Sequence, residues 1–119
     1  MAMMAVVFPI MPAKTEAWRA FADELAGSRR EEFQASRRDA GVHERTFFQS
    51  TPMGDLVIVT LEGDDPSASF GRLLQQHGDF ADWFLAHASD LHGFDLSQVP
   101  AGDPSELVID SEPTAVAAG

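Results

Sequence analysis

Two stretches of this chain are apolar on both of their faces. In Ala5–Met11, the residues Val6, Phe8 and Ile10 alternate with Ala5, Val7 and Met11. In Asp55–Glu62, the residues Val57, Val59 and Leu61 alternate with Leu56, Ile58 and Thr60. Successive side chains of a strand point to opposite faces of its sheet, so each stretch reads as a strand that needs cover on both sides. An antiparallel sheet with one wet face should instead alternate apolar with polar.

The segments between these strands supply cover for one face. After Pro12, a helical stretch runs roughly from Lys14 to Ala40. Trp18, Phe21, Ala22 and Leu25 recur at the spacing of one buried stripe, and Phe33 continues it. Gly27-Ser28 interrupts the pattern and predicts a kink or a split, and Gly41 is a natural stop in the left-handed conformation. Val42–Ser50 reads as a second strand of mixed polarity, joined through the turn Thr51-Pro52-Met53-Gly54 to Asp55–Glu62 as a hairpin. Asp65 and Pro66 then open a helix as N-cap and first position, with Phe70, Leu73, Leu74 and His77 as its inner stripe. Asp79 caps a further helix carrying Phe80, Trp83, Phe84, His87, Ala88 and Leu91, which ends near His92-Gly93. Phe94–Ser105 is a connection rich in Pro, Gly and Asp, and Leu107–Asp110 supplies a short fourth strand.

The element order is β-α-β-β-α-β, the split βαβ pattern, which predicts an α+β ferredoxin-like domain with a four-stranded antiparallel sheet. Both helical regions then lie on one sheet face. The simplest cover for the other face is a second copy of the chain, giving a closed homodimer. Residues 1–112 form one domain in this reading, with 113–119 as a flexible tail.

That order, the long first helix from Trp18 to Ala40, the hairpin around Pro52-Gly54 and the late helix from Phe80-Ala81-Asp82-Trp83-Phe84 to Leu91-His92-Gly93-Phe94-Asp95 together resemble the dimeric α/β-barrel superfamily. That superfamily includes the antibiotic-biosynthesis-monooxygenase-like proteins. The resemblance covers residues 4–112 at the level of element order and is nearest to small uncharacterised domains of that superfamily. It implies a pocket between the sheet and the helices of each subunit, suited to a small hydrophobic or aromatic molecule. Haem-degrading members use an early Asn with a Trp and a proximal His. This chain contains no Asn, and Trp83 with His87 or His92 does not reproduce that spacing. A haem-binding relative that uses a lone His stays open.

Composition narrows the classes further. With 119 residues, 45% of them hydrophobic and nine Phe, the chain can build a core without staples. It has no Cys, which removes disulfides, thiol nucleophiles and thiolate metal sites. The net charge of −11 falls entirely after residue 46, where Arg72 is the sole basic residue. Such an acidic balance repels phosphate backbones and speaks against nucleic-acid binding. Arg29, Arg30, Arg37 and Arg38 suggest an anion site, but Glu31, Glu32 and Asp39 are interleaved with them, and a solvated, salt-bridged helix face is the preferred reading. The short apolar N-terminus lacks a basic n-region and is broken by Pro9 and Pro12. With no apolar run of spanning length, a cytoplasmic protein outside the membrane is expected.

No phosphate loop, nucleophile elbow or dinucleotide fingerprint is present. Candidate chemistry rests on histidines, whose ordinary pKa suits proton transfer near neutrality. His77 and His87 are the catalytic candidates, each with a plain packing role as its alternative. His43 and Arg45 share one side of the second strand and could hold an anionic oxygen. His92 reads as a helix-end residue with a pocket role second. Trp18, Trp83 and Phe84 are core residues that would equally serve as an aromatic pocket wall. No metal set is expected, since His77-Gly78-Asp79 alone is not a coordination sphere. The leading expectation is a cofactor-independent enzyme of monooxygenase, cyclase or isomerase type acting on a hydrophobic or aromatic substrate. A non-catalytic ligand-binding or sensing dimer and a plain structural dimer are the alternatives.

Overall fold

The computed structural model describes residues 2–99 and 103–112. Its elements are β1 (Ala2–Pro9), α1 (Thr15–Ala26), α2 (Arg30–Ala40), β2 (His43–Thr51), β3 (Gly54–Gly63), α3 (Pro66–Leu74) and α4 (Asp79–His92), followed by a 3-10 turn at Leu96–Gln98. β3 lies between β1 and β2 and is antiparallel to both. β1 and β2 therefore run in the same direction, and the long connection through α1 and α2 makes that geometry possible. The expected α+β architecture with an antiparallel sheet is present, with three strands among the described residues.

The hairpin closes where the Pro and Gly predict. Thr51 pairs with Gly54, leaving Pro52-Met53 as a two-residue loop. The Thr51 hydroxyl donates to the Gly54 carbonyl at 2.7 Å and accepts from the Met53 N–H at 3.1 Å. The long first helix is split at Gly27-Ser28 into α1 and α2, the sharper of the two outcomes its sequence allowed. Gly41 ends α2 in the left-handed conformation at φ 79°, and Gly93 ends α4 likewise at φ 80°. Asp65 caps α3 by accepting from the Ala68 N–H at 3.1 Å, with Pro66 at the first helical position. Asp79 is not a cap: Gly78 occupies that position at φ 116°, and Asp79 is the first residue of α4.

The two sheet faces have different fates. Val6, Val57 and Leu61 face the helices and are buried. They belong to two adjoining clusters, one with Trp18, Phe21, Ala88 and Leu91, the other with Ala40, Val42, Phe70 and Leu73. On the opposite face, Val7 pairs with Ile58, which pairs with Phe47, so the three form one apolar row across the whole sheet. Val7 is 54% exposed and Phe47 51% exposed, so no element among the described residues covers that row. The two-sided apolar strands are present, and the described residues cover only one of their sides.

The expected fourth strand is the main correction. Leu107–Asp110 forms no strand, and Leu107, Val108 and Ile109 are 76%, 76% and 83% exposed. The Ser105 hydroxyl accepts the Ala5 N–H at 3.3 Å. A side chain thus takes one amide of the β1 edge that a backbone ladder would use, and the chain bends at Pro104-Ser105 rather than running along that edge. The segment 113–119, expected to be a tail, lies outside the described residues, as do 100–102 within the Phe94–Ser105 connection.

Candidate functional site

Between the sheet and the helices lies a cavity of about 770 Å³. The sheet contributes Phe8, Val57, Val59 and Leu61 to it, α1 contributes Trp18 and Phe21, and α4 contributes Phe80, Phe84 and His92. Proteins fill their interiors to near crystalline density, so a hollow of this size between sheet and helices stands apart from ordinary core packing. Its volume falls within the range of small-molecule sites, and an apolar, aromatic lining with few polar groups is the usual composition of such a site. Exposed Arg30, Gln34 and Arg38 also line it and mark the side on which it opens.

The polar side of the cavity is built from α2, β2 and the turn after α3. Arg37 is only 8% exposed. Its Nε donates to Glu44 Oε1 at 2.8 Å and its Nη1 to the Ser36 hydroxyl at 2.9 Å. The guanidinium lies 4.5 Å from the Phe33 ring centroid and 4.6 Å from that of Phe84. The Ser36 hydroxyl donates to Gln76 Oε1 at 2.7 Å, and Gln76 Nε2 donates back to the Ser36 carbonyl at 3.1 Å. The other Glu44 oxygen accepts from the Thr46 hydroxyl at 3.0 Å. Sequence spacing concealed this arrangement, because Arg37 lies among acids in sequence yet finds its partner on the next strand.

His92 is the buried histidine of the cavity wall, 6% exposed and stacked on Phe8 with ring centroids 5.0 Å apart. Its Nδ1 lies 2.8 Å from the Pro9 carbonyl. A carbonyl only accepts, so Nδ1 carries the proton, and a neutral ring leaves Nε2 unprotonated. Burial holds the His92 pKa below the ordinary imidazole value, partly offset by the bond to Pro9, which favours the charged form. A position in the last helical turn suggested a dipole partner; the tertiary contacts make it a wall residue.

The other expected site residues divide cleanly. Trp18 and Phe84 line the cavity, and His43 borders it at the start of β2. Arg45, Trp83, His77 and His87 do not line it. α3 ends at Leu74, so His77 lies in the loop before α4 rather than on an inner helical stripe, and it is exposed. His87 is also exposed. Its ring stacks parallel on Phe21 at 5.9 Å, and its Nδ1 contacts the Trp83 carbonyl at 2.9 Å. Trp83 is held in the same aromatic group, with the Arg29 guanidinium 4.1 Å above its ring. His43 and Arg45 are neighbours as predicted, but Glu62 already faces both, at 4.0 Å and 3.6 Å.

Arg29 follows the salt-bridged reading of its helix, lying 3.6 Å from Glu24 and 3.3 Å from Glu32. Arg30 and Arg38 are exposed, as a solvated face requires, and also line the cavity, whereas Arg37 departs from it by being buried, its salt bridge made to Glu44 of β2. Among the described residues, no group of three or more His, Asp or Glu is placed to hold a metal ion, and no helix is long and apolar enough to cross a membrane. No family model, curated protein or solved structure matches this chain.

Proposed function

We propose that this chain is a small-molecule-binding protein whose ligand is a hydrophobic, aromatic-sized compound held between the sheet and the helices. The observation that carries this reading is the 770 Å³ cavity with Trp18, Phe21 and Phe84 on its wall. A core that the chain's own side chains filled would leave no such space. Titration with an uncharged aromatic probe, 2-naphthylmethanol, should change the emission of Trp18 and saturate. Ala22→Phe, which places bulk into the space beside Phe21, should abolish that response while the thermal unfolding midpoint stays close to wild type. Trp18 emission that does not respond to the probe would refute the reading.

A catalytic role within the same cavity is the second reading, and His92 favours it. Its neutral form presents Nε2 as the acceptor of a partly desolvated imidazole, the state a general base needs. A cofactor-independent proton transfer, cyclisation or oxygenation is the matching reaction class, with His92 taking the place that the sequence suggested for His77 and His87. Loss of turnover with retained 2-naphthylmethanol binding in His92→Gln is the expected outcome once a substrate is found. Unchanged turnover would exclude His92.

The ferredoxin-like, dimeric α/β-barrel assembly belongs to this proposal. The order β1-β3-β2 is the part of such a sheet that three strands can form. The open row Val7-Ile58-Phe47 asks for a cover of the same apolar character, and a second copy presents one.

A further inference from the structure

We propose that the ligand of this cavity is an anion, an aromatic carboxylate whose ring system lies among the Phe and Trp side chains and whose carboxylate meets the arginines of α2. The inference rests on the small-molecule reading above and adds the charge of the ligand. The chain carries a net charge of −11, yet its cavity reverses that sign. The lining contains Arg30, Arg37 and Arg38 against a single acid, Glu44. Arg30 and Arg38 have no carboxylate within 4 Å among the described residues, while Arg29 beside them is paired twice.

Arg37 supplies the inner contact. Its Nε and Nη1 are engaged by Glu44 and Ser36. Its Nη2 has no acceptor among the described residues, and no buried side-chain nitrogen or oxygen there lacks a partner, so Nη2 keeps some exposure on a residue that lines the cavity. Glu44, the Ser36–Gln76 pair and the rings of Phe33 and Phe84 hold the guanidinium in place. A donor fixed in this way loses little freedom when it binds. Because Glu44 balances the charge of Arg37, the net positive field at the opening comes from Arg30 and Arg38, eight positions apart and each four from Gln34, on one face of α2. An amide or alcohol would use Nη2 as a donor but would gain nothing from that field. A carboxylate uses both.

Calorimetric titration of the full chain with 2-naphthylacetate and with 2-naphthylacetamide tests this directly, since the two probes share a ring system and differ in charge. The carboxylate is expected to bind about tenfold more tightly than the amide at low salt, with the ratio falling as salt is added. In Arg30→Gln/Arg38→Gln, whose replaced side chains are exposed and leave the core untouched, the ratio should drop to about twofold. Equal binding of the two probes by the wild type, or a ratio unchanged in the double variant, would overturn the anion assignment and leave the cavity reading standing. Binding of neither probe would overturn both.

Discussion

The Arg37 Nε donates to Glu44 Oε1 at 2.8 Å, with 10% and 7% of the two side chains exposed, and this pair ties α2 to β2 at the polar wall of the cavity. A buried pair contributes little over a well-packed apolar one, but either partner left alone is a buried charge without its counter-ion. Glu44→Ala is therefore expected to destabilise the fold by about 3 kcal/mol. Arg37→Met/Glu44→Leu should recover most of that loss, because no unpaired charge remains. Urea unfolding of the single and double variants measures both, and equal destabilisation by the two would contradict a coupled pair.

His92 sets a pH dependence. Burial lowers its folded-state pKa below that of the unfolded chain, so the unfolded state binds the proton more tightly. The contribution of neutral His92 is fully present above about pH 6.5, the unfolded imidazole value, and is lost as pH falls from there toward the folded-state pKa. The melting temperature of the wild type should therefore drop more on acidification through that window than that of His92→Gln, which has nothing to titrate. Parallel melting curves against pH for the two proteins would contradict the burial argument.

The uncovered row Val7-Ile58-Phe47 determines the assembly test. Multi-angle light scattering of the wild type is expected at twice the chain mass, and Val7→Glu or Phe47→Glu should return it to the monomer mass. Both side chains are half exposed in the single chain, so far-UV circular dichroism should be unchanged in either variant. A wild-type mass of one chain would contradict the dimer.

Gly93 closes α4 at φ 80°, and a Cβ at that position would run into the Met11 side chain. The left-handed backbone alone makes Gly93→Ala unfavourable by about 1–2 kcal/mol, and the clash adds to it. Adding Met11→Ala should relieve the steric part and leave the backbone part, which chemical denaturation of the two variants separates. Destabilisation below ~0.5 kcal/mol would mean that the α4 terminus shifts freely.

The extent to which sequence sufficed can be seen residue by residue. Helical spacing identified the stripe Trp18, Phe21, Ala22 and Leu25, and turn chemistry placed the hairpin at Pro52-Gly54 and the cap at Asp65, because each of these depends on neighbours within a few positions. Alternation marked two strands that need cover on both faces, and Val7 of the first remains exposed where no described residue supplies that cover. The site was less legible. His77 fits an inner stripe only if its helix continues past Leu74, and helix ends are set by local competition that periodicity does not report. Trp18 and Phe84 were named both as core and as pocket wall, and they hold both places: Trp18 belongs to a buried cluster that Phe84 packs against, and both border the space between sheet and helices.

By itself, then, the sequence determined the local elements, the apolar demand of β1 and β3, and the overall acidity of the chain. The tertiary structure decided that Leu107–Asp110 leaves the β1 edge unpaired, that His92 rather than His77 or His87 lines the cavity, and that three arginines of an acidic chain line one cavity. These outcomes depend on residues dozens of positions apart meeting in space, as Pro9 meets His92 and Ser36 meets Gln76. Pattern along a chain reports which face a residue occupies, whereas charge and vacancy at a site arise only from the faces that packing brings together.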